Sequence, residues 1–154
     1  AERYPGWPID LVETRSFEPF RHMEFDLVPI RATHGEEEDT QNLLIQRDGV
    51  TLLYATDTGI WEEPTWTFLR DWRLDALVLE CTEGLASTQY HGHLDADECR
   101  DVVRRLRAQG TLAADTPVFT THHSHQGGAT HAQLEAALGD EGILIGYDGL
   151  EFDL

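Results

Sequence analysis

The sequence predicts a single domain, residues 1–154, of the α/β or α+β class. One observation behind this prediction is a hairpin signal, because two apolar runs flank Asp48-Gly49 in NLLIQRDGVTLLYATD. Asp-Gly is a preferred pair for a two-residue type I′ turn between strands. The other observation is that strand-like and helix-like segments alternate through the second half. A β-rich start followed by such alternation is typical of a sheet covered by helices.

The predicted strands beyond the hairpin are short apolar or β-branched runs. They are EFDLVPIRA at 24–32, DALVLECT at 75–82 and TPVFTT at 116–121. GILIGY and LEFDL flank Asp148-Gly149, and this pattern predicts a closing pair of strands. The first 20 residues are rich in proline and aromatic side chains, so we expect irregular structure there with one short strand.

Three helices are predicted from their start signals and apolar spacing. Pro64 is well placed to begin one through PTWTFLRDW. Asp95 or Asp97 can cap a second, whose Cys99, Val102, Val103 and Leu106 follow helical spacing. Thr130 can cap HAQLEAAL, and Gly139 ends it.

The charge balance excludes several classes of function. The net charge is −18, from 29 acidic and 11 basic residues, and every basic residue is arginine. Without lysine there is no Walker-type phosphate loop and no Schiff-base or general-base lysine. This large negative charge also disfavours sequence-independent binding to a long nucleic acid. The negative charge does not exclude a small phosphate-containing substrate held at a metal, because a bound cation inverts the local electrostatic field.

The two cysteines and the hydropathy indicate the expected compartment. Cys81 ends an apolar strand and Cys99 lies on an apolar helix face, so both are expected in the core as reduced thiols. The longest apolar runs are too short to cross a membrane. No basic segment followed by an apolar run opens the sequence, and we therefore expect a cytoplasmic protein.

Chemistry-bearing side chains follow the ends of the predicted strands. They are His34, Asp57, His91 and His93, and the group His122, His123 and His125. Each has an ordinary interpretation, since a lone histidine is usually a loop residue and Asp-Thr-Gly is often a turn. Three histidines within THHSH favour a metal or catalytic site more strongly, because imidazole and carboxylate are common ligands of zinc and manganese. His22 and His131 are expected to be structural or exposed, and Glu36–Asp39 a solvated loop.

Six motifs occur in the order found in one known superfamily. They are PIRATHG, LLYATDTG, LVLECTEG, HLDADECRDVVRRLRAQG, VFTTHHSH and GYDGLEF. Together they resemble the C-terminal half of the metallo-β-lactamase-fold hydrolases. Within that superfamily the chain looks most like the phosphodiesterase of the carbon–phosphorus lyase pathway and, more distantly, tRNase Z. The resemblance runs from about Phe17 to Leu154 and implies half of an αββα sandwich, a mixed sheet covered by helices.

The resemblance also implies roles for individual residues. His34 corresponds to the histidine that completes the first metal site, and Asp57 to the carboxylate that bridges both metals. His122 corresponds to the second-site ligand, which leaves His123 and His125 outside the ligand set. A further histidine, which contacts the phosphate or leaving oxygen, fits His93 best. His91 remains open for that role.

The most diagnostic motif of the superfamily, HxHxDH, is missing. HGHLDA at 91–96 is the nearest string, but His91 lies ten positions after Cys81, whereas the motif should follow a strand closely. Three ligands are too few for two ions. The resemblance therefore implies that the other half lies elsewhere in a longer hydrolase or on a second chain, and that a half-domain alone would self-associate.

The expected function is metal-dependent hydrolysis of a small cyclic or nucleotide-like phosphodiester. Two divalent ions, zinc or manganese, are the expected cofactors, and the site is completed by residues outside this chain. Expected partners are the small substrate and either a second copy or the missing half, with no membrane and no long nucleic acid. Hydrolysis of a thioester, lactone or lactam is less favoured, because His93 marks the phosphodiesterase branches. The alternative from another class is an inactive half-domain that serves in binding or assembly.

Overall fold

A computed structural model describes residues 2–3, 10–35, 39–86 and 88–154. Most of the first ten residues, and the predicted loop at Glu36–Asp39 except for Asp39, lie outside these ranges. The strands are β1 (Glu2–Arg3), β2 (Asp10–Leu11), β3 (Phe20–His22), β4 (Phe25–Arg31), β5 (Gln41–Arg47), β6 (Val50–Ala55), β7 (Ala76–Glu80), β8 (Val118–Thr121) and β9 (Ile143–Ile145). The α-helices are α1 (Glu63–Leu69), α2 (Ala96–Ala108) and α3 (His131–Leu138).

The described strands form one large mixed sheet and a small separate pair. The large sheet has the order β3-β4-β5-β6-β7-β8-β9, and β1 pairs with β2. Neighbours are antiparallel from β3 to β6 and parallel from β6 to β9. The carboxyl ends of β6, β7 and β8 therefore lie at one edge, which is where ligands bind in open α/β sheets.

The predicted hairpin at Asp48-Gly49 is confirmed. Strands β5 and β6 pair in antiparallel register up to Arg47 and Val50. Asp48 has φ of 52° and Gly49 has φ of 87°. Positive φ at both central positions defines a type I′ turn, whose twist matches that of the two strands.

The predicted pairing at the end of the chain is wrong. Ile143–Ile145 is a strand, but it pairs in parallel with β8, and Leu150–Leu154 forms no strand. At Asp148-Gly149 only the glycine has positive φ, 88°, so this turn cannot be type I′. The tail runs over the sheet face instead, and the ring of Phe152 stacks on Phe119 at a centroid distance of 4.2 Å.

The three predicted helices are confirmed, with start signals where the sequence places them. Pro64 lies in the first turn of α1. Asp95, not Asp97, caps α2 and forms a reciprocal capping box with Glu98. Thr130 caps α3, and Gly139 follows its last residue. None of the helices in the described residues has the length and apolar character needed to span a bilayer.

The helices cover one face of the sheet and form the core with it. The inward strand positions are apolar and buried, as at Leu44, Leu53 and Leu77, and they contact apolar residues of all three helices. Cys81 and Cys99 are free and fully buried, as predicted. Burial raises the pKa of the Cys99 thiol well above its ordinary value, which keeps the group protonated.

The opposite face of the sheet is apolar and only partly covered. Tyr54 and Leu144 are 43% and 51% exposed, and Leu27, Leu43, Ile45 and Leu52 are half-buried. The register aligns these side chains in rows across the strands. An exposed apolar surface of this kind marks an interaction surface in soluble proteins.

Two glycines provide a matched test of the hairpin. Gly49→Ala should destabilise the protein by about 1 kcal/mol, because alanine is strained at positive φ. Gly139→Ala should be neutral or stabilising by about 0.4–1 kcal/mol, since Gly139 has φ of −66°. Neither added Cβ meets another atom. Urea unfolding measures both, and equal effects would contradict the turn assignment.

Candidate metal centre

Four ligand-type side chains predicted from the sequence meet at the carboxyl edge of the sheet. His34 follows β4, Asp57 follows β6, His93 precedes α2 and His122 follows β8. The ring centroids of His34 and His93 are 4.7 Å apart, and those of His93 and His122 are 5.6 Å apart. His122 Nε2 lies 3.6 Å from Asp57 Oδ1. Three imidazoles and one carboxylate thus converge on a common space.

Two of these residues adopt a backbone conformation that most side chains avoid. Asp57 has φ of 53° and His122 has φ of 59°. Left-handed backbone at a non-glycine residue costs of order 1 kcal/mol and is concentrated at functional sites. Each lies just beyond a parallel strand, and this conformation turns the chain sharply at the sheet edge.

The centre is organised by a buried carboxylate, that of Glu80 at the end of β7. Glu80 is fully buried. Its Oε1 accepts from the Thr58 N–H at 2.5 Å, and its Oε2 accepts from the Thr82 hydroxyl at 2.5 Å and the Leu94 N–H at 3.2 Å. These donors compensate the cost of burying the carboxylate. They also join the ends of β6 and β7 to the loop before α2.

Glu80 orients His93 directly. His93 Nδ1 lies 2.9 Å from Oε2 and 3.0 Å from Oε1 of Glu80, so the imidazole donates its Nδ1 hydrogen to the carboxylate. The other ring nitrogen, Nε2, is left for the open side of the site. A carboxylate behind a histidine fixes both its tautomer and its orientation.

Glu80 also orients His122, through Thr82. The Thr82 hydroxyl has a single hydrogen, which it donates to Glu80 Oε2. It must therefore accept from His122 Nδ1, which lies 2.7 Å away. This places the hydrogen of His122 on Nδ1 and leaves Nε2 facing Asp57.

His34 has the same arrangement with a backbone partner. Its Nδ1 lies 2.9 Å from the Gly92 carbonyl oxygen, which can only accept, so Nδ1 carries the hydrogen. All three imidazoles thus have Nδ1 held by oxygen and Nε2 available. Neutral imidazoles with one nitrogen anchored in this way are the form that binds metal ions.

Among the described residues, two groups bring ligand atoms within 4.8 Å of one another: His34 with Asp57 and His93, and Glu80 with His93 and His122. Glu80 is already surrounded by donors, so the first group is better suited to a cation. Nitrogen and carboxylate donors of this kind fit zinc and manganese. The donor chemistry of the site therefore fits the expected divalent metal.

A close backbone contact holds the loop of His91 against the strand end of Asp57. Gly59 donates its N–H to the Thr33 oxygen at 2.5 Å. A Cβ on Gly59 would lie 1.8 Å from the His91 carbonyl oxygen. Only glycine permits this approach, which explains why the residue two positions after Asp57 has no side chain.

A cavity of about 510 Å³ opens beside His34. Its walls include Arg31, Tyr90 and His91. The Tyr90 hydroxyl donates to the His34 backbone oxygen at 3.2 Å, and its ring lies 5.6 Å from that of His93. The cavity combines one cation, Arg31, one carboxylate, Glu62, and an aromatic wall. It is large enough for a small organic substrate.

The remaining histidines lie outside both groups. His91 is exposed on the loop two residues before His93. His123 Nε2 contacts the Thr120 hydroxyl at 3.1 Å, and desolvation, with smaller effects of His131 and His122, lowers the pKa of His123 below 6.5. His131 Nε2 lies 3.4 Å from a Glu135 oxygen within α3.

The residues that sequence reasoning missed are those that orient the ligands. Glu80, Thr82 and Thr58 were not singled out, although Glu80 is the charged residue at the end of the apolar run ALVLE. A charge at the end of a fully buried strand is the signal that could have found it, because such a group needs several partners.

Comparison with known protein families matches residues 5–114 to the β-lactamase superfamily domain. The chain belongs to this family. The match includes His34, Asp57 and His93 and ends before His122. No curated protein matches the sequence.

Solved structures of similar fold agree with this assignment. The metallo-β-lactamase fold protein YhfI from Bacillus subtilis has a TM-score of 0.69 at 15% identity, with 92% of this chain and 55% of that chain covered. Zn²⁺-bound PqqB from Methylobacterium extorquens has a TM-score of 0.66 at 16% identity, with 92% and 55% covered. Yeast PDE1 has a TM-score of 0.62 at 14% identity, with 88% and 48% covered. The chain thus spans about half the length of these structures, and the likeness shows the fold.

Glu80→Gln should destabilise the protein by about 1–3 kcal/mol, because one oxygen becomes an N–H₂ that faces donors in a buried position. The control is Glu83→Gln, at a half-buried position in the loop that follows β7, which should change stability by less than about 0.5 kcal/mol. Urea unfolding monitored by circular dichroism compares them. Equal stability of the two variants would contradict the conclusion that Glu80 organises the site.

Proposed function

We propose that this chain contributes to a metal-dependent hydrolase that cleaves phosphodiester bonds, in the branch that resembles the carbon–phosphorus lyase phosphodiesterase and tRNase Z. The observation that carries the proposal is a set of three imidazoles whose Nδ1 atoms are anchored at oxygen. A ligand atom of His34 and one of His93 lie within 4.8 Å of an Asp57 oxygen, and His122 Nε2 lies 3.6 Å from Asp57 Oδ1. The family assignment supports a hydrolase. The support for phosphodiester specificity is the resemblance of His93 to the histidine that marks the phosphodiesterase branches.

In this proposal the ligands are His34, Asp57 and His122, and Asp57 serves two zinc or manganese ions. When bound, divalent ions would supply a hydroxide nucleophile and would neutralise charge on the phosphoryl oxygens. The chain's own contribution is orientation, because Thr82 and the Gly92 carbonyl hold the imidazoles of His122 and His34 ready. Anchored ligands lose little freedom when an ion arrives.

His93 is the proposed catalytic residue. Glu80 holds the Nδ1 hydrogen of His93, which leaves Nε2 as the ring atom that can take or give a proton. Proton donation from Nε2 to the leaving oxygen is general acid catalysis, which contributes about 10²–10⁴-fold.

A small diester fits the surroundings better than a long nucleic acid. The net charge of −18 repels a polyanion. Several arginines of α2 are engaged in ion pairs, as with Arg104 and Glu141 or Arg105 and Glu63. Arg31 lines the cavity beside His34 together with Glu62, so the cavity offers one cation to a single phosphate group and no extended basic surface.

The dinuclear site needs ligands beyond those of this chain, and the exposed sheet face suggests where they come from. Tyr54 and Phe119 lie on that face three residues before Asp57 and His122. A second sheet layer packed there would reach the metal edge. We propose that this layer belongs to a missing half, on a longer polypeptide or a second chain, and that copies of the isolated chain associate through the same face.

The alternative function is an inactive half-domain that serves as a binding or assembly module. The exposed apolar face and the absent HxHxDH motif favour it. The strained backbone at Asp57 and His122 favours the enzyme, because an assembly surface has no need of it.

Asp57→Asn in the protein completed by its second half should abolish hydrolysis of bis(p-nitrophenyl) phosphate, a loss of at least about 10³-fold, because both ions lose a shared ligand. His93→Ala should lower turnover by about 10²–10⁴-fold. His131→Ala, on the far helix, should change nothing. Retained turnover in Asp57→Asn would exclude the dinuclear site.

Association of the isolated chain should depend on salt. At low ionic strength the charge of −18 opposes self-association, and about 0.5 M salt screens it. Sedimentation velocity should show a rising mean mass with salt. Leu144→Asp should abolish this rise, whereas Leu85→Asp, equally exposed but in the loop after β7, should not. A mass that stays monomeric at every salt concentration would contradict association through this face.

A further inference from the structure

The ligand atoms suggest a simpler metal site than the completed centre requires. We propose that the chain by itself binds a single divalent ion through His34, Asp57 and His93, with His93 acting as a ligand. This inference rests on the metal chemistry of the proposed function, not on its substrate. It differs from the dinuclear site of the proposed function in two respects: one ion is bound instead of two, and His93 is a ligand.

The geometry groups His93 with His34 and Asp57. One ligand atom each of His34, Asp57 and His93 lie within 4.8 Å of one another. His122 does not join that group in the part of the chain that the structure describes. Three protein ligands with one open position are the usual set of a catalytic zinc site. The chain therefore holds a complete set for one ion.

The hydrogen bond behind His93 is typical of a metal-bound histidine. Ligating histidines usually donate their other ring N–H to a carboxylate or a backbone carbonyl. His93 donates to Glu80, and His34 donates to the Gly92 carbonyl. Both proposed imidazole ligands thus have the expected partner.

His122 is placed to support this ion without binding it. Its Nε2 lies 3.6 Å from Asp57 Oδ1, and its Nδ1 is tied to Thr82. From there it can orient the Asp57 carboxylate, and become a ligand when the completed site supplies further donors. In the proposed function His93 is not a ligand and serves in proton transfer. The two sites thus differ in the role of these two histidines.

The test is titration of the 154-residue chain with Zn²⁺ by calorimetry, and with Co²⁺ by visible absorption, which reports tetrahedral nitrogen and oxygen coordination. We expect one ion per chain. Loss of an outer partner of a ligand already costs about 10–100-fold in affinity. His93→Gln should therefore weaken Zn²⁺ binding by at least about 100-fold and lower the Co²⁺ absorption.

His91→Gln is the matched control, two residues away on the same loop, and should bind as the unaltered chain does. His122→Gln should keep the stoichiometry of one. Circular dichroism checks that each variant is folded. Unchanged Zn²⁺ affinity in His93→Gln, equal loss in His91→Gln, two ions per chain, or no binding would each overturn the inference. Diester hydrolysis by the completed protein tests the proposed function separately, so the two can fail independently.

Discussion

The candidate site depends on the buried carboxylate of Glu80. It receives the N–H of Thr58 from the end of β6, the hydroxyl of Thr82 and the imidazole of His93. Through Thr82 it also sets the hydrogen of His122. Burying a carboxylate away from water costs free energy unless its oxygens accept hydrogen bonds. The surrounding elements must therefore place these donors next to Glu80. The same constraint that stabilises the strand ends also orients the ligands.

The two faces of the sheet differ in how far they are covered. One face packs against three helices and forms the core, which supports the strand ends of the site. The other is apolar, partly exposed and crossed by the tail at Phe152. The chain spans about half of the solved structures it resembles. We propose that a second layer covers this face. In the proposed function, the missing half would both bury this face and supply the further metal ligands.

Charge and composition restrict the chemistry more than they specify it. Without lysine, the candidate proton-transfer groups in the centre are imidazoles and carboxylates. The net charge of −18 favours a cation at the centre and disfavours polyanions around it. A cation neutralises local charge and allows a small phosphate group to approach, which links the metal to the proposed substrate.

The sequence by itself determined the helices, the hairpin and the candidate ligand side chains. Local signals are sufficient for these, because a capping box at Asp95 or a type I′ pair at Asp48-Gly49 acts within a few residues. It was misleading at Leu150–Leu154, since pairing needs an available edge and the tail lies over a face. Only the tertiary structure revealed Glu80 as the organiser and grouped His93, not His91, with His34 and Asp57. Those facts depend on contacts between residues distant in sequence, which no local pattern encodes.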